Sequence, residues 1–252
     1  MQKSSFRFKI TKAIFVLCVA MTTGCGDSVS PIASEEYFPL KVGMQWIYNV
    51  EETNTLRNLC DDDGVTNSTY ELKVAITDSF ANGEGGTTFV MERSKRTQPT
   101  APWTPAGTWS AQRRGTKLIM NESNVLYVKL VLPCVDGISW NGNEFNTQIQ
   151  LSNSNVDMYQ MVSVHQPYTL SASQSYAKSV TVIQNKEEAN ILYRDVRKEV
   201  YALGVGLVYK EYFVLKYFAE SAASDTNFKC FAQKRVQNGV LLKQTLKEFS
   251  SP

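Results

Sequence analysis

Few residues of this sequence have the types and spacing that enzyme chemistry needs, and its single histidine, His165, sets the first limit. One histidine excludes zinc sites built from several histidines and the His-Glu-x-x-His pattern of metalloproteases. A Ser–His–Asp triad would have to use His165 as its base, and the Gly-x-Ser-x-Gly elbow that holds such a serine is absent. Because His165 ends an alternating segment just before Gln166-Pro167, we expect a solvent-facing strand histidine without a catalytic role.

The N-terminal segment has the features of a secretory leader. Met1–Lys12 is basic and polar, with four basic residues and no acidic one, and Ala13–Met21 is an uninterrupted apolar run of nine. A transmembrane helix needs about 20 apolar residues, so this run is too short to span a bilayer. A basic start and a short apolar run, followed by small residues, are typical of a cleaved signal peptide.

The small residues Thr22, Thr23 and Gly24 precede Cys25, and this segment resembles the lipobox of bacterial lipoproteins. The resemblance implies that residues 1–24 are removed as a signal peptide and that the Cys25 thiol receives a diacylglyceryl group. Two or more acyl chains give lasting attachment, since each buried methylene contributes about 0.8 kcal/mol. The resemblance thus implies an exported protein of the bacterial cell envelope, an outer-membrane lipoprotein whose partner is the membrane. An ordinary cleaved leader, with Cys25 as an unmodified thiol, is the alternative.

The rest of the chain is expected to form a tether and one domain. Residues 25–36 contain small residues, a proline and acids without hydrophobic periodicity, which predicts a flexible tether. Residues 37–252 contain no linker and are expected to form a single domain. Beyond residue 24 the chain has 22 basic and 24 acidic residues, a net charge of −2. This charge gives no electrostatic reason to expect a nucleic-acid partner.

Three cysteines, Cys60, Cys134 and Cys230, follow the predicted lipidation site. In an oxidising compartment they predict one disulfide and one unpaired thiol. Cys60 and Cys134 each precede an acidic turn that contains glycine, where a bridge could form between exposed loops without moving a strand. We therefore expect a Cys60–Cys134 disulfide. Connectivity cannot be deduced from sequence, and three unpaired buried thiols are the alternative.

The tryptophans are the candidates for ligand contact. Trp103 lies in the proline-containing loop Thr97–Gly107 and is expected to be exposed, which makes it a candidate ligand-binding residue. Trp103, Trp109 and Trp140 could form a platform for sugar rings. The alternative for these rings is the core, because Trp46 and Trp140 stand in contexts typical of a β-domain interior.

The acidic residues do not single out a catalytic pair. Two carboxyl groups could catalyse glycoside hydrolysis, but nothing in the sequence selects two among the 24 acidic residues. The segment Asp61-Asp62-Asp63-Gly64 has Leu59 where an EF-hand loop would begin with aspartate, so it predicts a solvated turn. We therefore expect no catalytic residue, no metal ion and no cofactor.

Alternation of apolar and polar residues dominates the chain after residue 44. In Tyr70–Thr77 the apolar side chains fall on one face, as in a half-buried strand. The predicted strands are Met44–Val50, Tyr70–Thr77, Thr87–Arg93, Thr108–Arg113, Lys117–Met120, Val125–Leu132, Val156–Val164, Val180–Gln184 and Leu207–Tyr217. Strands that recur roughly every 8 to 15 residues, with no long helical pattern, predict a mainly β fold. We expect a single antiparallel β-sheet domain, strongly curved or barrel/roll-like, with little helix.

The C-terminal segment contains an Asn-Gly pair. Asn238-Gly239 separates the apolar runs Phe231–Val236 and Val240–Phe249, which predicts a hairpin with a type I′ turn. The last run also suits a helix, because Leu242 and Leu246 are spaced four residues apart.

Three segments resemble a large group of exported Bacteroidetes-type lipoproteins of unknown function. They are FPLKVGMQWIY (Phe38–Tyr48), GISWNGNEFN (Gly137–Asn146) and YALGVGLVYKE (Tyr201–Glu211). The resemblance implies a mainly β domain in the cell envelope and supplies neither a substrate nor a catalytic residue. We therefore expect a lipid-anchored envelope protein with a non-catalytic binding or structural role and an unknown protein or glycan partner. One alternative is a module that binds a glycan or an apolar ligand. The other is a carboxylate-dependent hydrolase.

Overall fold

The computed structural model describes residues 34–146, 156–218, 230 and 233–252. The predicted signal peptide, Cys25 and most of the predicted tether lie outside these residues. A 3-10 helix, Ser34–Tyr37, begins within the predicted tether, and the carbonyl of Glu36 accepts a hydrogen bond from Gly204 N at 2.7 Å. In the part of the chain that the structure describes, no helical segment has the length and apolar character of a membrane span.

Strands account for nearly all of the secondary structure of the described residues. They are β1 (Gln45–Leu56), β2 (Val65–Ala81), β3 (Thr87–Arg96), β4 (Thr104–Arg114), β5 (Lys117–Glu122), β6 (Val125–Val131), β7 (Ser139–Asn141), β8 (Met158–Ser171), β9 (Gln174–Glu187), β10 (Tyr193–Ala202), β11 (Gly206–Tyr217) and β12 (Val236–Ser250).

These strands form one antiparallel sheet in the order β6-β5-β4-β3-β2-β1-β12-β11-β10-β9-β8-β7. Its two edges approach each other, because Val128 N in β6 donates a hydrogen bond to Gly142 O, just after β7, at 2.9 Å. The indole Nε1 of Trp140 in β7 also donates to Val128 O, at 2.7 Å. The sheet is therefore nearly closed into a barrel. This confirms the predicted fold class, a mainly β, antiparallel and strongly curved sheet with almost no helix.

The strand register shows which side chains enter the interior. Directly opposite residues of an antiparallel pair point to the same face of the sheet. The opposed pairs Trp46–Val74, Tyr48–Leu72 and Met91–Trp109 thus share the inner face. Five of these six side chains are buried, and Trp109 is half-buried. The large apolar residues of the alternating segments therefore form the core, as the alternation predicts.

The Asn238-Gly239 pair lies inside β12, which runs without interruption from Val236 to Ser250. The predicted hairpin is wrong, and so is the alternative helix. Gly239 lies between Thr55 of β1 and Leu215 of β11. A Cβ atom at this position would lie 2.2 Å from the carbonyl oxygen of Val214, and the φ angle is +144°. The close approach of β11, not a turn, requires the glycine.

Other element boundaries also differ from the sequence patterns. These patterns do not predict β10, whose first residues are mostly charged or polar, or the three-residue strand β7. β8 and β9 extend beyond their predicted bounds, to Ser171 and from Gln174. The glycines of YALGVGLVYKE form the turn between β10 and β11, where Gly204 and Gly206 have φ angles of +73° and +95°. L-residues rarely adopt these angles, which explains the glycines.

The structure joins Cys60 to Cys230 by a disulfide, so the predicted Cys60–Cys134 bridge is wrong. β1 and β12 run side by side, and Arg57 N donates a hydrogen bond to Gln237 O at 2.9 Å. The loop after β1 therefore lies beside the segment before β12, and the Cα atoms of Cys60 and Cys230 are 5.9 Å apart. Cys134 is buried after β6. Similar turn sequences do not reveal which strand ends are adjacent, and that adjacency decides the pairing.

Candidate ligand-binding site

The interior of the sheet contains a cavity of about 50 Å³. Most of its wall is apolar, with Trp46, Tyr48, Val74, Met91, Trp109 and Met120 among the lining residues. Four charged side chains also line it, and we call them the charged cluster: Glu122, Lys129, Glu199 and Lys210. An apolar wall with a few converging polar groups is the common arrangement of small-molecule sites.

The aromatic wall is fixed by hydrogen bonds to the chain around the β10–β11 turn. Trp46 Nε1 donates to Val205 O at 2.6 Å, and the Tyr48 hydroxyl donates to Leu207 O at 3.1 Å. Both polar atoms are therefore paired with backbone carbonyls. The rest of each ring is free to provide apolar surface to the cavity.

Lys129 is the centre of the charged cluster. Its Nζ atom lies 2.7 Å from Glu122 Oε1 and 2.9 Å from Glu199 Oε1. Lys210 Nζ lies 3.3 Å from the same Glu199 oxygen and 3.9 Å from Glu122 Oε2. The Tyr201 hydroxyl donates a hydrogen bond to Glu199 Oε2 at 2.6 Å. Two cations and two carboxylates thus neutralise each other.

The charged cluster is formed by two pairs of strands that face each other across the interior. Glu122 ends β5 and Lys129 lies in β6, whereas Glu199 of β10 stands directly opposite Lys210 of β11. β6 and β10 are not neighbours in the sheet. The Lys129–Glu199 ion pair therefore crosses the interior.

The two carboxyl groups stay ionised although they are buried. Burial would raise the pKa of Glu199, but the attraction of Lys129 and Lys210 and the Tyr201 hydrogen bond outweigh it and lower this pKa to about 2. Burial likewise opposes ionisation of Glu122, and the same two lysines hold its pKa below the ordinary value. A glycosidase needs one carboxylic acid that is protonated at working pH. These two carboxyls therefore give the hydrolase hypothesis no support.

Lys129 keeps its charge for the same reason. Burial would lower the pKa of its ammonium group, but Glu122 and Glu199 more than reverse this effect, so the pKa is raised. The side chain of Lys129 is only 5% exposed. The cluster is thus a set of permanent charges in an interior of low dielectric constant.

Arg93 is a further cation beside the cavity. It lies opposite Val74 in the register, and its guanidinium carbon is 3.7 Å from the centroid of the Trp109 ring. Its Nε atom is buried and makes no hydrogen bond within the described residues. Burial lowers the pKa of Arg93, and the charge of Glu122 and the nearby Tyr70 offset this effect only in part. The contact of the Arg93 guanidinium group with the Trp109 ring compensates for only a small part of the hydration that burial removes.

Trp103, the predicted ligand residue, does not line the cavity. It is half-buried on the outer face, where Lys73 Nζ and the Arg96 guanidinium carbon lie 4.8 Å and 4.3 Å from its ring centroid. Trp46 and Trp140 are buried, as predicted for core residues. Of the three tryptophans considered for a platform, only Trp109 is among the lining residues.

His165 is half-buried and does not simply face solvent as predicted. Its Nδ1 atom lies 2.6 Å from the hydroxyl oxygen of Tyr37. The disulfide residue Cys60 and the buried Cys134 do not line the cavity, and Cys25 lies outside the described residues. Among the described residues there is no group of three or more His, Cys, Asp or Glu side chains that could hold a metal ion.

The sequence patterns indicate neither the charged cluster nor the position of Arg93 beside the cavity. A weak signal exists, because Lys129 is the only charged residue of the otherwise apolar strand VLYVKLV. Unpaired lysines are almost never fully buried, so a lysine in such a strand indicates a buried partner. The sequence does not identify that partner, since Glu199 is 70 residues away.

No protein-family model matches the chain, and no curated protein matches its sequence. Two solved structures are similar to it. One is a candidate exported protein with a YmcC-like fold from Bacteroides fragilis, with 11% identity and a TM-score of 0.41 over 85% of this chain and 98% of that chain. The other is a candidate lipoprotein from Parabacteroides distasonis, with 9% identity and a TM-score of 0.40 over the same shares.

Proposed function

We propose that the chain is an exported, lipid-anchored binding protein of the bacterial cell envelope, and that its sheet holds one small ligand with an apolar body and a polar group. The observation that carries this proposal is the cavity, in which an apolar wall meets the charged cluster. A purely structural core would be expected to fill such a space with side chains, because protein interiors are close-packed.

The size of the cavity limits the ligand. At about 10–15 Å³ for each water-sized group, a volume of about 50 Å³ holds roughly three to five such groups. Because bonded atoms lie closer together than neighbouring water molecules, this corresponds to a molecule of about four to six non-hydrogen atoms. A four-carbon chain with one polar end, such as butyrate or n-butanol, is a suitable probe.

The location in the proposal comes from the leader. The short apolar run and the Thr-Thr-Gly-Cys segment favour export and lipidation of Cys25. The Cys60–Cys230 disulfide supports the same location, since disulfides persist mainly in oxidising compartments. We place the anchor in the outer membrane, with the domain acting by binding.

The ligand proposal is tested by nuclear magnetic resonance on the full chain labelled at its tryptophan indole nitrogens. Titration with butyrate and n-butanol is expected to shift the Trp46 and Trp109 signals to saturation and to leave Trp103 unchanged. Trp103 is an internal control, because it lies on the outer face. The absence of a saturable shift with either probe would contradict the proposed function.

A cavity-filling substitution provides a second test. Val74→Phe places a larger side chain at a lining position and is expected to abolish the saturable shift. Val90→Phe is the matched control, because Val90 directly precedes the inward-facing Met91 in β3 and is not among the lining residues. Equal loss of binding in both variants would count against the site. Should Val74→Phe fail to fold, the tryptophan titration of the unmodified chain still decides.

A further inference from the structure

We propose that the ligand is a carboxylate, and that Arg93 binds its negative charge over the face of Trp109. This inference rests on the proposed function and assigns the chemical class of the ligand to the same cavity.

The charged side chains that line the cavity pair with one another. Each charged side chain of the cluster has an oppositely charged partner within 3.3 Å. Arg93 differs, since its buried Nε atom makes no hydrogen bond within the described residues. Arg93 is half-buried, and a buried guanidinium N–H without a partner is costly, which favours an anion that the protein itself does not supply.

Arg93 lies against two residues of the cavity wall. Val74, its register partner, and Trp109, beneath its guanidinium group, both line the cavity. Glu122, another lining residue, is close enough to raise the pKa of Arg93. Arg93 is not itself among the lining residues, so its guanidinium group lies next to the cavity wall, against the Trp109 ring.

The chemistry of Arg93 and of the cavity wall suits a short carboxylate. A guanidinium group binds a planar carboxylate through two parallel hydrogen bonds, and stacking on a tryptophan leaves this edge free. The apolar wall of Met91 and Met120 suits a short hydrocarbon chain, and the cavity volume limits its length. An alkyl ammonium ion would meet Arg93 with a like charge.

The experiment compares three probes that share a four-carbon chain: butyrate, n-butanol and n-butylamine. Binding to the full chain is followed by the Trp109 indole signal. Butyrate is expected to bind about ten-fold or more tightly than n-butanol, because a hydrogen bond to a charged group is stronger than one to a neutral group. n-Butylamine is expected to bind more weakly than n-butanol.

Arg93→Gln is expected to remove the preference for butyrate over n-butanol. Arg96→Gln is the matched control, because Arg96 lies on the outer face of the same strand and pairs with Glu71. It is expected to keep the preference. If Arg93→Gln does not fold, Arg93→Lys is used in its place. It keeps the positive charge but cannot form the bidentate hydrogen bonds, so it should weaken butyrate binding several-fold.

The outcomes separate the two proposals. Saturable binding of all three probes with equal affinity would overturn the carboxylate inference and leave the proposed function standing. A preference for n-butylamine, or an unchanged preference for butyrate in Arg93→Gln, would also overturn the inference. Failure of every probe to bind would overturn the proposed function itself.

Discussion

Lys129 Nζ and Glu199 Oε1 lie 2.9 Å apart and join β6 to β10 across the interior of the sheet. Their side chains are 5% and 2% exposed. Each ion loses its hydration on burial. Ion pairs with Glu122 and Lys210 and a hydrogen bond from Tyr201 compensate for this loss. The charged cluster thus links β5 and β6 to β10 and β11 across the interior.

Removal of the central ammonium should strongly destabilise the fold. In Lys129→Met the carboxylates Glu122 and Glu199 are left with Lys210 alone, and buried carboxylates without full compensation are costly. The expected loss is about 3–5 kcal/mol of the free energy of unfolding. Urea denaturation followed by circular dichroism measures it.

A surface ion pair provides the control for that measurement. Lys117 and Glu144 also form a salt bridge, but their side chains are 31% and 37% exposed. Lys117→Met should therefore cost less than about 1 kcal/mol. Equal costs for the two substitutions would show that burial of the cluster contributes little.

Stability should fall in acid because of Glu199. Its pKa is lowered from 4.5 to about 2 in the fold, so an unfolded chain takes up this proton first as the pH drops. Ionised Glu199 therefore contributes about 3 kcal/mol to the free energy of unfolding. This contribution is complete above about pH 5 and is lost as the pH falls through the pKa of the folded state. The urea midpoint of the unmodified chain should be lower at pH 3 than at pH 7.

The matching variant for this acid effect is Glu199→Gln, which has no proton to take up at this position. Its stability at pH 7 should be lower than that of the unmodified chain, but the further loss on going to pH 3 should be smaller. The same loss in both proteins would assign the acid sensitivity to other carboxyl groups.

Local pattern predicted the fold class because strands of half-buried sheets alternate every second residue, whatever their partners. In Tyr70–Thr77 the alternation alone places Leu72, Val74 and Ile76 in the core, and the structure buries all three. Pairing is not local. The Asn-Gly signal at residue 239 and the choice between Cys134 and Cys230 depend on which strands lie next to β12, and the sequence patterns do not contain that information.

The candidate site was beyond sequence reasoning for a related reason. Lys129 and Glu199 are 70 residues apart, and Lys129 lies in a predicted strand, whereas Glu199 lies in β10, which the sequence patterns do not predict. The exposed position predicted for Trp103 followed from its proline-rich loop. The structure places Lys73 and Arg96 against its ring, because β2 and β3 bring them to the same outer face.

Gly239 should be intolerant of a side chain. In Gly239→Ala the new Cβ would meet the Val214 carbonyl at 2.2 Å, in a backbone conformation that L-residues rarely adopt. We expect a loss of roughly 2 kcal/mol or more. Gly83→Ala is the control, since no atom lies within 4 Å of its Cβ position, and it should be nearly neutral. Similar unfolding midpoints for both variants would contradict the proposed role of the close approach.

The disulfide should stabilise the domain by restricting the unfolded chain. It joins residues 170 positions apart, and loops of this length give a cross-link about 4–5 kcal/mol in the chain-entropy model. Cys60→Ser should therefore lower the urea midpoint much more than Cys134→Ser. Non-reducing peptide mapping should recover Cys60 linked to Cys230, and recovery of a Cys60–Cys134 peptide would refute the connectivity.

Lipidation of Cys25 is the prediction on which the proposed location depends. Intact mass of the membrane-fraction protein should show a chain that starts at Cys25 and carries acyl groups. Each buried methylene contributes about 0.8 kcal/mol, so loss of the acyl chains in Cys25→Ser should release the domain from the membrane once the leader is removed. Cys18→Ser, a change within the predicted leader, is the matched control and should leave the mature mass unchanged. A mature chain with an unmodified N-terminus would refute the anchor, whereas the cavity and its ligand would remain to be judged by the titrations.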